Sequence, residues 1–184
     1  MVVKNEKSFN SISIVFGSCF SLTACGDGAV KSKTFSGEDG IQITFTEDFV
    51  QKNDGINENV SHNNNVYSFT ASKKMSLENE EISFVALKFN FDTLPDDIQE
   101  IGVENIDEEW FAELLTRGFH GCSVVNDTEN EIVYYIISGM EYGFTRVIKA
   151  DDAFWSCRFE SAAYSSRDDF ASACIPWAKT ITIG

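Results

Sequence analysis

The sequence predicts an α+β fold in which an antiparallel β-sheet of about six to seven strands is flanked by helices. Four apolar or alternating segments follow one another in the C-terminal half with short turns between them, which is typical of an antiparallel meander. Two of the predicted strands are apolar on both faces, as expected in a sheet that is covered on both sides. Two further segments place apolar residues at helical spacing.

The first part of the predicted domain is rich in strands. Ile41, Ile43 and Phe45 alternate with polar residues, and this period of two predicts a half-buried strand. The segment 82–91 is apolar on both faces, so we expect it at the centre of the sheet. In order, the sequence predicts a strand at 41–46, a polar loop at 51–65, a strand at 66–71, a polar turn at 75–80 and a strand at 82–91.

A helix is predicted after the third of these strands. Asn105 can cap its start, and Glu108 three residues later would complete a capping box. Gly118 can end the helix, because glycine readily adopts the left-handed conformation of a C-terminal cap. The predicted apolar face consists of Ile106, Trp110, Phe111, Leu114 and Leu115.

The C-terminal third is predicted as a meander followed by a second helix. Ser165 or Ser166 can cap this helix, and Pro176 is expected to kink or break it because proline lacks a backbone N–H. The meander strands are predicted at 122–128, 132–138, 144–149 and 153–162, and the last helix buries Phe170, Cys174, Trp177 and Ile181. The expected core includes Trp110, Phe111, Leu114, Trp155, Phe159, Phe170 and Trp177.

The charge of the chain is strongly negative. Its 184 residues carry 14 Lys and Arg against 29 Asp and Glu, a formal net charge of −15. Such a surface repels phosphate backbones, so we expect no nucleic-acid partner. It also disfavours binding to anionic lipid headgroups through a basic patch.

The N-terminus has the pattern of a signal peptide. Lys4 and Lys7 give it a positive start, and the mostly apolar segment 12–22 follows. This segment is too short to span a bilayer, which takes about 20 apolar residues. We therefore predict a signal peptide at 1–24; the alternative is a buried N-terminal strand.

The signal segment ends in Leu22-Thr23-Ala24-Cys25, which resembles the bacterial lipobox. The resemblance implies cleavage after Ala24 and attachment of diacylglycerol to the Cys25 thiol. It implies an extracytoplasmic protein that is anchored to the bacterial cell membrane through this lipid. The predicted division is then a signal peptide at 1–24, a lipidated tether at 25–40 and a single domain at 41–184. The residues that follow Cys25 are small and polar, as is typical of a flexible linker.

The element order and one C-terminal stretch resemble the PsbP-like group. An aromatic-rich strand, Asp151 to Ser161, leads through a polar turn into Arg167-Asp168-Asp169-Phe170 at the start of the final helix. The group includes the extrinsic photosystem subunit, the Ran-binding Mog proteins and bacterial lipoproteins of unknown function. Over residues 36–184 the resemblance implies an antiparallel sheet sandwiched between helices, an αβα sandwich. It implies no function, because one fold hosts many functions.

Few residues suggest chemistry. His120 and Cys122 are two residues apart and could form a nucleophile pair, although nothing marks a third group that would orient them. The oxygen-rich segments 53–59 and 126–131 could bind calcium, but neither fits the EF-hand loop. The sequence therefore predicts no catalytic residue, no metal ligand and no cofactor.

Three cysteines remain in the predicted domain. Cys157 lies on the same strand face as Trp155, and Cys174 lies in the apolar stripe of the last helix. If that helix packs on that face, Cys157 and Cys174 face the same layer and could form a disulfide; the alternative is two free, buried thiols. Cys122 would stay unpaired in either case.

Together these observations favour a non-enzymatic binding or assembly module, tethered to the membrane by lipid on Cys25. Its partner would be an envelope protein or an extracellular ligand of unknown identity. One alternative is a thiol-dependent or hydrolytic enzyme that uses Cys122 and His120. Another is a surface module stabilised by calcium.

Overall fold

A computed structural model describes residues 31–46 and 48–184. The predicted cleavage site at Ala24 and lipidation site at Cys25 lie outside the described residues. The strands are β1 (Lys33–Ser36), β2 (Gln42–Phe45), β3 (Val50–Gln51), β4 (Asn59–Asn63), β5 (Ser68–Glu78), β6 (Ser83–Asn90), β7 (Cys122–Asp127), β8 (Ile132–Ser138), β9 (Tyr142–Lys149) and β10 (Ala153–Ser161). The helices are α1 (Asp96–Ile101), α2 (Glu108–Thr116) and α3 (Arg167–Lys179).

The predicted α+β class with a large antiparallel sheet is confirmed. Eight strands form one sheet in the order β3-β5-β6-β10-β9-β8-β7, and β4 also pairs with the outer side of β5. All of these pairings are antiparallel, including the predicted meander from β7 to β10. Strand β6 lies between β5 and β10, inside the sheet as its two apolar faces predict.

Helices cover both faces of the sheet, so two core layers form. The first lies between the sheet, α3 and the β1–β2 hairpin, and its large members are Ile43, Phe45, Trp155, Phe159, Phe170 and Trp177. The second lies between the sheet and the helices α1 and α2, and it includes Phe69, Phe89, Ile98, Phe111, Leu115 and Phe154. Strand β10 contributes to both layers, because successive side chains of a strand point to opposite faces.

The predicted N-terminal boundary is wrong by about one strand. Residues 33–36, assigned to the tether, form β1 and pair with β2, where Thr34 is opposite Thr44. Phe35 is buried in the first core layer. Short strands of this kind carry only one buried residue, so their alternation is too brief to recognise.

Two predicted loops are also corrected. The segment 51–65 contains β4 and the end of β3, and the predicted turn at 75–80 lies largely within the long strand β5, where Met75 and Leu77 are fully buried. The register of β5 against β6 shifts between Lys73 and Met75. A bulge of this kind adds a residue to one strand and interrupts the alternation from which the strand would be recognised.

The first long helix begins two residues later than predicted. Asp107, not Asn105, is the N-cap, and its side chain accepts a hydrogen bond of 2.8 Å from the backbone N–H of Trp110. The Asn105 amide instead donates to the carbonyl of Ile101. Trp110 is only partly buried, whereas the sequence predicted it in the core. The short helix α1 was not predicted.

The last helix starts as predicted but is not broken. Ser166 is its N-cap and accepts from the N–H of Asp169 at 3.2 Å. The helix continues through Pro176 to Lys179. Its C-terminal end is held by Arg146 of β9, whose Nη1 donates to the carbonyls of Ala178 and Ile181.

Candidate binding site

A cleft lies at one end of the sheet. There the β9–β10 turn meets the short 3₁₀ turn Glu38–Gly40 and the segment around Ile183. Its volume is about 640 Å³, within the range of roughly 300–1,000 Å³ that is typical of small-molecule sites. We call it the Lys88 cleft, and its lining residues include Asp39, Lys88, Asp152, Trp155 and Ile183.

Lys88 is the one charged residue of strand β6. Only 8% of it is exposed. Its Nζ donates to Asp39 Oδ2 at 3.1 Å and to Asp152 Oδ2 at 2.8 Å. Asp39 also pairs with Lys74, whose Nζ lies 3.2 Å from the same oxygen. These ion pairs join strands β5 and β6 to the two turns that border the cleft.

Lys88 and Asp39 stay charged at neutral pH. Burial opposes the charge of Lys88, but hydrogen bonds to Asp152 and Asp39 outweigh it and raise the pKa of the amine. Burial likewise opposes ionisation of Asp39, but hydrogen bonds from Lys88 and Lys74 lower the pKa of this carboxyl. Neither group is poised near neutrality, which general acid–base catalysis requires.

The backbone at Asp39 is held in an uncommon conformation. Asp39 has φ 54°, in the left-handed region that aspartate tolerates better than most residues. Gly40 follows with φ 78°, and a Cβ there would lie 2.7 Å from the carbonyl oxygen of Gly184. The tight turn therefore needs glycine at 40, and it directs the Asp39 carboxylate towards Lys88.

Trp155 contributes a polar atom to the same region. Its side chain is fully buried, and its Nε1–H has no hydrogen-bond partner among the described residues. Lys88 Nζ lies 5.8 Å from the centre of the ring. Lysine has three N–H donors, and the two carboxylates use two of them. The cleft can therefore hold a small polar molecule through hydrogen bonds.

The predicted pair of His120 and Cys122 is not joined in the structure. His120 is exposed in the turn before β7, and no hydrogen bond links it to Cys122 in the described part of the chain. Cys122 is half-buried at the start of β7, and burial raises the pKa of its thiol. An activated nucleophile needs the opposite shift, towards a lower pKa.

Cys157 and Cys174 lie in the same core layer, as predicted, but they are free thiols and not a disulfide. Both are fully buried among apolar side chains. Burial raises the pKa of the Cys157 thiol to about 12, and it raises the pKa of Cys174 as well. These two residues behave as small apolar side chains of the core.

The proposed calcium segments are used in local turns. In 126–131, Asp127 accepts hydrogen bonds from the backbone and the side chain of Asn130. Across residues 31–46 and 48–184, no three His, Cys, Asp or Glu side chains are grouped closely enough to hold a metal ion. In the same residues, no helix is long and apolar enough to cross a membrane.

Sequence reasoning missed two sets of tertiary contacts. Lys88 could have been noticed, because it is the one charge inside a strand that is apolar on both faces. The segment around β4 provides the other set: His62, Asn64 and Asn65 bond to the carbonyls of Leu115, Leu114 and Gly118 at the end of α2. The asparagine-rich run was visible in the sequence, but its partners lie about 50 residues away.

Comparison with known proteins shows a similarity of structure. No protein-family model matches the sequence, and no curated protein matches it. Among solved structures, the chain is similar to the solution structure of cyanobacterial PsbP (CyanoP) from Synechocystis sp. PCC 6803. The two share 12% sequence identity and a TM-score of 0.43, over 89% of this chain and 99% of the other. A likeness of this size assigns no ligand or partner to the chain.

Proposed function

We propose that the protein is a lipid-anchored, extracytoplasmic binding or assembly module without catalytic chemistry. The observation that carries the proposal is the lipobox-like Leu22-Thr23-Ala24-Cys25, which precedes β1 by only a short segment. Eight residue steps separate Cys25 from Lys33 (33 − 25 = 8). Fully extended, they reach at most roughly 30 Å. A lipid on Cys25 would therefore keep the domain close to the bilayer.

The charge of the chain supports covalent anchoring over electrostatic attachment. At −15, the protein is repelled by anionic headgroups. Two acyl chains anchor a protein stably, whereas one chain gives only marginal and reversible binding. A diacylglyceryl group would supply the attachment that the surface of the chain disfavours.

The candidate site supports binding over catalysis. Ion pairing in the Lys88 cleft raises the pKa of Lys88 and lowers that of Asp39, so both stay charged, and burial raises the pKa of the Cys122 thiol away from reactivity. No observation favours the thiol enzyme or the calcium-stabilised module over a binding role. We expect the cleft to accept a small polar ligand that bonds to the remaining N–H donor of Lys88.

Lipid labelling in a bacterial host tests the anchor. Cells fed an alkyne-tagged fatty acid should label the wild-type chain, and Cys25→Ala should abolish the label. Cys19→Ala is the matched control, because it removes the other cysteine of the same segment and should leave labelling unchanged. Detergent phase partition should place the wild type in the detergent phase. An unlabelled wild type, or equal labelling of Cys25→Ala, would contradict the proposal.

A further inference from the structure

The first strand of the meander, β7, leaves one side of the sheet open. Among residues 31–46 and 48–184, strand β7 pairs with β8 alone, so it is an edge strand of the described sheet. Gly121 directly precedes β7, and its carbonyl oxygen accepts a hydrogen bond of 3.3 Å from the N–H of Ser138. Gly121 and Ser138 are therefore a hydrogen-bonded pair of the β7–β8 ladder. Because such pairs alternate along an antiparallel ladder, the N–H and C=O groups of Cys122, Val124 and Asn126 point away from β8. Within the described residues they have no hydrogen-bond partner.

This edge has few of the features that usually protect an edge strand. Such strands are commonly blocked by charged side chains, above all lysine, by a proline or by a bulge. The β7 sequence Cys122–Asp127 has no lysine, proline or bulge, and its one charged residue, Asp127, stands at the end of the strand. The opposite side of the sheet differs, because there β3 and β4 both cover the outer side of β5. An unprotected edge can accept an extended segment of another polypeptide as an additional strand.

One flank of α2 borders the open edge with acidic side chains. Glu109 Oε2 accepts a hydrogen bond of 2.8 Å from Asn126 Nδ2, which places this flank beside the end of β7. Thr116 of α2 lies near Cys122 at the other end of β7. Glu113 is exposed on the same flank, between Glu109 and Thr116.

The spacing of the two glutamates matches that of a strand. Residues four apart on a helix are about 6 Å apart along its axis. Alternate residues of a β-strand, which share one face, are about 6.6 Å apart. Two basic side chains at alternate positions of an added strand would therefore meet Glu109 and Glu113 together, on the face that Val124 and Asn126 already share.

We propose that the β7 edge binds an extended segment of a partner polypeptide that carries Lys or Arg at alternate positions. The inference deepens the proposed binding role by naming the chemistry of the partner, and it rests on that role but not on the lipid at Cys25. A second copy of this chain is disfavoured as the occupant. Pairing two β7 edges would bring the glutamates of both α2 helices, and two net charges of −15, towards one interface.

Peptide binding to the full chain in detergent tests this proposal. The probe is a fluorescein-labelled decapeptide in which Lys alternates with Thr, and its control has the same composition with the five Lys residues in one block. Fluorescence anisotropy at low ionic strength should show at least tenfold tighter binding of the alternating peptide. Equal affinity for both peptides would overturn the proposal, because it would indicate attraction by net charge alone.

Two variants separate backbone pairing from charge. Val124→Pro removes an N–H that points outward, so it should block strand addition while the β7–β8 ladder is kept. The double variant Glu109→Gln/Glu113→Gln should weaken binding at least tenfold, and Glu100→Gln/Glu104→Gln on and after α1 is the matched control. Unchanged binding by a folded Val124→Pro variant would refute the proposal.

A modified probe makes the test independent of protein folding. Methylating the backbone nitrogens of the alternating peptide removes its N–H donors without changing its charge, so its affinity should fall to that of the block peptide. Undiminished affinity would overturn strand addition. Lipid labelling tests Cys25 separately, so failure of the anchor and failure of the peptide site are distinguishable.

Discussion

Truncation of Trp177 tests the packing of α3 on the sheet. Trp177 is 6% exposed. Its ring centre lies 5.4 Å from that of Phe45, 6.1 Å from that of Phe49 and 6.1 Å from that of Phe159. It therefore joins the helix to the β1–β2 hairpin region and to β10 at one point. Trp177→Ala would empty the largest side-chain volume that α3 contributes to this layer.

The magnitude follows from the area that is lost. A buried aromatic side chain removes roughly 150–250 Å² from water, worth about 4–6 kcal/mol at 25 cal/mol per Å². This is an upper value, because the unfolded chain is already partly compact. Measured losses for buried Trp or Phe to Ala are about 3–5 kcal/mol, so we expect that range for the free energy of unfolding.

Urea denaturation followed by far-ultraviolet circular dichroism measures the effect. This readout does not depend on tryptophan fluorescence, which the substitution itself changes. Trp110→Ala is the matched control, because Trp110 is only partly buried on α2 and should cost clearly less. A loss below about 1 kcal/mol for Trp177→Ala, or a larger loss for Trp110→Ala, would show that α3 does not pack as described.

Two further predictions concern titratable groups. Burial lowers the pKa of His62 below 6.5, so the unfolded chain takes up the proton first and the free energy of unfolding should fall as pH drops through 6.5. His62→Gln keeps a donor for the Leu115 carbonyl, and its free energy of unfolding in urea should depend less on pH between pH 7 and 5. The same pH dependence in the wild type and in His62→Gln would show that His62 is not the group responsible. The buried thiols Cys157 and Cys174 should resist alkylation in the folded chain and react after denaturation without reductant, as mapped by mass spectrometry. Protection that persists until reductant is added would indicate a disulfide instead.

Several elements were predictable because their signals are local. The meander strands recur with short turns, and neighbouring segments of this kind pair without needing distant partners. The start of α3 was predictable for the same reason, since the Ser166 side chain bonds to an N–H three residues later. The two-faced apolar strand at 82–91 also indicated its own central position.

Other elements depended on distant contacts. Strand β4 is polar and half-exposed, and it forms because it pairs with the edge of β5 and contacts the end of α2. Helix α3 continues through Pro176. Arg146 donates a hydrogen bond to the carbonyl of Ala178 near the end of the helix, and the apolar face of the helix is buried against the sheet. Packing energy of this kind outweighs a local preference, and no pattern within the helix itself indicates it.

The sequence by itself determined the fold class, the acidic surface and the lipobox-like motif at Cys25, because composition and short-range periodicity carry this information. Only the tertiary structure decided where the charges meet. Lys88 is 49 residues from Asp39 and 64 residues from Asp152 along the chain, yet it pairs with both. The open edge at β7 likewise exists only once the sheet order is known. Sites assembled from distant segments have no local period, so they emerge only when the chain is folded.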